Sequence, residues 1–92
     1  MIASFKCKQT RDLFEGRRVG RFRGIERIAL RKLRQLQIAE RLDDLRVPPG
    51  NRLKTLKGRR DGQFSIRIND QYRVCFYWTA RGAEDVQIVD YH

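Results

Sequence analysis

The sequence predicts an α+β domain in which helices pack on one face of an antiparallel sheet. Two observations carry that prediction. Apolar residues recur at helical spacing from Ile25 to Leu45, and after Pro48-Pro49-Gly50 the hydrophobic period changes to two. Size supplies a third. Ninety-two residues and 11.0 kDa allow one domain, residues 1–92, because a chain this short buries only about 60–65% of the surface that its unfolded form exposes. It holds one modest core and cannot close two lobes over a deep cleft.

Taken in order, residues 2–6 read as a short N-terminal strand with Ile2 and Phe5 as its apolar members. Thr10 is placed to cap a short helix through Glu15, with Asp12 near its positive end. Arg17, Arg18, Arg21 and Arg23 then form a basic loop bounded by Gly16 and Gly24. Ile25, Ile28, Leu33 and Leu36, followed by Ile38, Leu42 and Leu45, mark an amphipathic helix, or two helices with a break near Gln37–Glu40. The helices so number two or three, and Pro48, Pro49 and Gly50 end the helical region.

Beyond that point Phe64, Ile66 and Ile68 alternate with polar residues, as do Tyr72, Val74, Phe76 and Trp78, and then Val86 and Ile88. With turn chemistry at Asn69-Asp70-Gln71 and around Arg81-Gly82, this is a three-stranded antiparallel meander forming one sheet. Register follows from the faces, because a one-residue slip would exchange apolar and polar sides. A three-residue turn at 69–71 sets Arg67 directly opposite Arg73. A last hairpin centred near Gly82 would set Tyr91 beside Arg73, making a row of Arg67, Arg73 and Tyr91 on the polar face. Like charges opposed in a ladder are destabilising unless an anion lies between them, so this row reads as a phosphate site. The stripe of Phe64, Tyr72, Phe76 and Trp78 shares the aliphatic face and is core, whereas Tyr77 faces the polar side and is available to stack on a base.

Composition narrows the function classes. Lys and Arg total 21 against 11 Asp and Glu, giving a net charge of +10, and sixteen of the 21 are arginine, the cation suited to bidentate recognition of phosphate. A nucleic acid or an acidic protein partner is expected. No apolar run approaches the ~18 residues of a membrane helix, and Met1–Lys8 is charged too early for a secretory signal, so the protein is expected in the cytoplasm. Cys7 and Cys75 do not make a disulfide scaffold, and Cys75 reads as a small buried thiol. One His and two separated Cys give no zinc-ligand spacing, so no metal or cofactor is expected.

Between Arg46 and Arg60 the chain carries Arg46, Arg52, Lys54, Lys57, Arg59 and Arg60 and no acid. Placed just before the Arg67 strand, this loop is expected to lie against the polar sheet face and complete a cationic groove. His92 ends the sequence after Asp90 and Tyr91; its ordinary pKa of about 6.5 suits proton transfer.

Several segments together resemble a known family. Leu53-Lys54-Thr55-Leu56-Lys57-Gly58, Gly62-Gln63-Phe64-Ser65-Ile66, Tyr72-Arg73-Val74-Cys75-Phe76 and the closing Asp90-Tyr91-His92 are similar to HigB-type toxins of the RelE/ParE superfamily, as is the opening Ile2-Ala3-Ser4-Phe5-Lys6. The resemblance implies a RelE-like fold and the toxin of a type II toxin–antitoxin pair, neutralised by a HigA-like antitoxin. It further implies a ribosome-dependent, metal-independent endoribonuclease that enters the A site and cuts messenger RNA, meeting DNA only indirectly through the antitoxin. By position, Lys57 matches the lysine of the Leu-Lys-Gly motif, Arg73 the strand arginine, and Asp90, Tyr91 and His92 the functional C-terminus. Arg67 falls in a strand where relatives carry a basic residue, and Lys54 stands where some carry His.

The implied chemistry needs the 2′-OH to attack the adjacent phosphorus, with a base, an acid and cations for the phosphorane charge. Arg73 and Lys57 are assigned to that charge, His92 or Tyr91 to proton transfer and Asp90 to orientation. Arg46, Arg52, Lys54, Arg59, Arg60, Arg67 and Tyr77 are assigned to RNA or ribosome contact. Two other readings fit the same chain: a ParE-like inhibitor of DNA gyrase without nuclease activity, and a non-catalytic RNA-binding module.

Overall fold

The computed structural model describes residues 1–90. Two α-helices, α1 (Lys8–Phe14) and α2 (Glu26–Ile38), precede a four-stranded sheet of β1 (Lys54–Thr55), β2 (Phe64–Arg67), β3 (Tyr72–Thr79) and β4 (Gly82–Asp90). Neighbours in sequence are neighbours in the sheet, in the order β1-β2-β3-β4, and every pair is antiparallel. The α+β class and the meander are as the hydrophobic periods predict. The fourth strand, β1, comes from the basic loop, where two residues pair with Ser65 and Phe64.

The expected N-terminal strand is reduced to two parallel bridges, Ile2 with Ala83 and Phe5 with Val86. Four backbone hydrogen bonds support them: Ala3 N–H to Ala83 O, Lys6 N–H to Val86 O, Ala83 N–H to Met1 O and Val86 N–H to Ser4 O. The segment thereby covers the open edge of β4, an edge that otherwise presents unpaired donors and acceptors.

α1 begins one turn earlier than the Thr10 cap predicts, with Cys7 preceding the first helical residue. Thr10 lies inside the helix and fully buried, where its Oγ1 accepts the Ile88 N–H at 3.0 Å. Its hydroxyl joins α1 to β4 rather than capping the helix. α2 buries Ala29, Leu33 and Leu36, spaced i, i+4, i+7, while Arg27, Arg31 and Arg34 stay exposed. The helical region does divide: α2 ends at Ile38, Ala39 is extended, and a 3₁₀ turn follows at Leu42–Arg46. Ile28 and Ile38, expected on the apolar stripe, are exposed, and Ala29 takes the core position.

One core results. Leu13, Phe22, Leu33, Leu36 and Leu45 from the helical layer meet Ile66, Val74, Phe76, Val86 and Ile88 from the sheet. Phe64, Tyr72 and Trp78 pack against it partly buried, so the aromatic stripe is core as its shared face predicts. Cys75 is buried, as expected.

Two features yield predictions about stability. At Gly82, φ is +111°, and a Cβ there would sit 2.2 Å from the Met1 carbonyl oxygen. Gly82→Ala is expected to cost about 2–3 kcal/mol, lowering the Tm by roughly 10 °C or more by calorimetry. The Asp44 carboxylate accepts the N–H groups of Arg41 and Glu40, each at 3.0 Å. The Arg41 amide first, then the Glu40 amide, hold its pKa below the ordinary 3.8. Because the folded pKa is depressed, the stability Asp44 contributes is present above the unfolded value and is lost as pH falls through the folded one. In urea titrations the deficit of Asp44→Asn relative to the parent should be full above about pH 5 and shrink as pH drops below 4.

Candidate nucleic-acid interface

The sheet face opposite the helices carries the candidate site. β2 and β3 pair in the predicted register, with Phe64 opposite Phe76, Ile66 opposite Val74 and Arg67 opposite Arg73. The two guanidiniums therefore share one row, and Arg67 Nη2 pairs with Asp70 in the intervening turn. Arg73 is 8% exposed, more enclosed than an open cradle requires. Its Nε donates to Ser65 Oγ at 2.7 Å and its Nη2 to the Arg52 carbonyl at 2.8 Å. Both acceptors are neutral, so they fix the guanidinium without cancelling its charge.

The Arg52 carbonyl is aimed by a buried network. Lys32 of α2 donates its Nζ to Asn51 Oδ1 at 2.6 Å. The fully buried Asn51 donates its Nδ2 to Gln35 Oε1 at 3.0 Å and to the Leu45 carbonyl at 3.1 Å. This ties the 3₁₀ turn Pro49–Asn51 to α2, and the next residue, Arg52, adopts a left-handed conformation with φ of 47°. Burial, reinforced by the charges of Arg31 and Arg67, pulls the Lys32 pKa down.

From Arg52 the chain enters β1, where Lys54 faces Ser65, and then the 3₁₀ turn Gly58–Arg60. Cys75 records how closely these segments approach. Burial pushes its thiol pKa up, against the opposing charges of Arg60, Arg73 and Lys54. The strand register sets Lys54, Ser65, Cys75 and Arg73 on one face, and the basic loop lies on the polar face as its position predicts.

Not every expected residue joins them. Lys57 is exposed at the entry to the Gly58–Arg60 turn, Arg59 is exposed beside it, and Tyr77 is exposed on the same face as Arg73. Arg52 contributes its backbone, while its side chain is exposed. Arg46 is paired with Asp43 in the preceding 3₁₀ turn at 3.1 Å. The last hairpin differs from expectation. It turns tightly at Ala80-Arg81, with Thr79 opposite Gly82, and a bulge between Cys75 and Tyr77 shifts the register by one residue. Val89, not Tyr91, therefore faces Arg73. Asp90 faces Tyr72, on the other side of the sheet from Arg73, and its carboxylate accepts Gln71 Nε2 at 3.1 Å. Tyr91 and His92 lie outside the described residues.

Sequence reasoning missed Ser65, Asn51 and Lys32, which hold Arg73 in place. Ser65 was within reach of it, since the Arg67–Arg73 register makes Ser65 the diagonal neighbour of Arg73. Nothing in the sequence signals the Lys32–Asn51 contact. Among the described residues no group of three or more His, Cys, Asp or Glu side chains could hold a metal ion, and no helix is long and apolar enough to cross a membrane.

The two thiols give this description a chemical check. Burial raises the Cys7 pKa, but the Thr10 amide and hydroxyl, the Gln9 amide and the charge of Arg21 together outweigh it and leave the thiol below 9.0. Cys7 is half-buried and Cys75 fully buried with a raised pKa. Ellman's reagent should therefore modify one thiol in the native protein and two in guanidinium chloride, and Cys7→Ser should abolish the native reaction.

Comparison with known proteins accords with this architecture. Residues 4–92 match the family of HigB-like toxins, described as the RelE-like toxin of the type II toxin–antitoxin system HigB. Toxin HigB-1 of Vibrio cholerae serotype O1 is 41% identical over 80 residues, covering 85% of this chain and 84% of that protein. An uncharacterized protein of Haemophilus influenzae is 38% identical over 50 residues, covering 54% of this chain and 50% of its own length. In structure, a chain of the YoeB-YefM complex from Staphylococcus aureus superposes with a TM-score of 0.58 and 16% identity, covering 100% of this chain and 98% of that one, so the two share a fold. The chain belongs to the HigB-like family of RelE-like toxins from type II toxin–antitoxin systems.

Proposed function

We propose that this toxin is a ribosome-dependent endoribonuclease that cuts messenger RNA without a metal ion. The observation that carries the reading is that Lys54, Arg67 and Arg73 share one sheet face through the β1-β2-β3 register, with the Arg73 guanidinium held by two neutral oxygens. An immobilised cation stabilises charge that develops in a transition state better than a mobile one, because it needs no reorganisation as the reaction proceeds.

In the proposed reaction the ribose 2′-oxygen loses its proton to a base and bonds to the neighbouring phosphorus. The phosphorus–5′-oxygen bond breaks, an acid protonates the departing 5′-oxygen, and a 2′,3′-cyclic phosphate remains. Arg73 and Lys57 balance the phosphorane charge. His92 and Tyr91 carry the protons, and Asp90, through Gln71, anchors the strand end from which they follow. The face is too open to enclose a substrate. The ribosomal A site supplies the missing alignment by holding the message in a reactive geometry. Arg59, Arg67 and Tyr77 contact the message or ribosome from the same face, and Arg46 and Arg52 extend the basic surface beyond it. A chain of net charge +10 acting in the cytoplasm is restrained by its antitoxin, a HigA-like protein that covers the groove, a helix end or both.

Primer extension on messages from cells expressing the toxin tests this reading. The expected result is codon-phased cuts that fall about 100-fold or more in Arg73→Ala and His92→Gln, while circular dichroism shows both variants folded. Co-expression with the antitoxin should relieve growth arrest. Intact messages with arrested replication would replace the nuclease reading with inhibition of gyrase.

A further inference from the structure

Beside the Arg73 row the same face has a second depression, of about 380 Å³, within the ~300–1,000 Å³ range of small-molecule sites. Three kinds of group line it. Lys6, Arg59 and Arg60 bring positive charge from the N-terminal segment and the Gly58–Arg60 turn. Tyr77 brings an exposed aromatic ring, lying against Gly62, where a Cβ would come within 3.6 Å of the ring. Gln63 and Gln87 bring amides, and Asp85 brings the single carboxylate. Among the described residues none of these side chains makes a hydrogen bond or ion pair. Elsewhere on the surface, acids beside bases pair with them, as Asp12 does with Lys8 and Arg17.

The carboxylate is there because of the bulge. β4 places two residues, Asp85 and Val86, opposite Phe76 alone, and Asp85 takes a left-handed conformation with φ of 53°. Its backbone N–H donates to Ser4 Oγ at 2.8 Å, which ties the bulge to the N-terminal segment. Regular pairing would leave Asp85 facing the core side of β4, between Glu84 and Val86. The extra residue turns it to the rim of the depression, and an acid exposed amid three cations is a poor device for binding phosphate alone.

We propose that this depression is a nucleobase subsite, in which Tyr77 stacks on the base, Gln63 and Gln87 bond its edge, and Asp85 accepts from an exocyclic amino group. Arg59, Arg60 and Lys6 take the adjoining phosphates. The inference rests on the RNA reading above and adds specificity to it: adenine, guanine and cytosine carry the amino group that a carboxylate recognises, and uracil does not. Tyr77 is four residues from Arg73 along β3, or about 13 Å, so the selected base belongs to a nucleotide near the cut and not at it.

The test is NMR titration of the purified full-length chain with AMP, GMP, CMP, UMP and inorganic phosphate, following the Gln63 and Gln87 side-chain amides. Expected are saturable shifts with the mononucleotides, with UMP the weakest by roughly three- to tenfold. Tyr77→Ala should weaken binding by about tenfold. Asp85→Asn, which tolerates the left-handed backbone, should erase the disadvantage of UMP while retaining binding. Shifts from inorganic phosphate equal to those from the nucleotides would overturn the proposal and leave a plain anion patch. So would Tyr77→Ala that binds nucleotides normally but loses the antitoxin, which would make the surface a protein contact. Base-selective binding by a chain that cuts no message would sustain the subsite and defeat the cleavage reading; phased cutting with no base-selective binding would do the reverse.

Discussion

The enclosure of the Arg73 guanidinium is the constraint on which the candidate face depends. A cation removed from water is costly unless its donors are met. Here one donor is met by Ser65 within the sheet and another by the Arg52 carbonyl outside it. The second bond draws the basic loop onto the sheet. The loop could not deliver its carbonyl without the left-handed turn at Arg52, which is braced from behind by Asn51 and the buried Lys32. The buried Lys32–Asn51 network and the Arg73 guanidinium thus meet at one backbone segment.

Mutual repulsion among these cations is the cost of the arrangement, and the fold offsets it unevenly. Arg67 has Asp70, Arg46 has Asp43, and Arg17 has Asp12 and Glu15. Exposed pairs of this kind contribute little to stability. Arg73 is buried and donates to two neutral oxygens.

The sheet also divides labour between its two ends. Near the β2–β3 turn, regular pairing sets two arginines side by side. Toward the β3–β4 turn, the bulge at Asp85 breaks that regularity and exposes an acid, two amides and an aromatic ring. A regular ladder alternates side-chain direction strictly; the extra residue of a bulge turns one side chain out of that alternation.

Much of this was legible in the amino-acid order. The alternation of Phe64, Ile66 and Ile68 with polar residues determines the face, and a three-residue turn then determines the Arg67–Arg73 opposition, because strand periodicity is local and strict. The buried thiol, the basic loop on the polar face and the family resemblance were equally readable. What tertiary structure decided is whatever depends on distant segments meeting. The N-terminal segment forms two bridges with β4, and the Thr10 hydroxyl accepts the Ile88 amide instead of capping α1. The β4 register differs because the hairpin turns at Ala80-Arg81 rather than around Gly82, which alone would bring Ile88 opposite Arg73; the bulge adds one residue back, and Val89 takes the place beside Arg73 that parity had given to Tyr91.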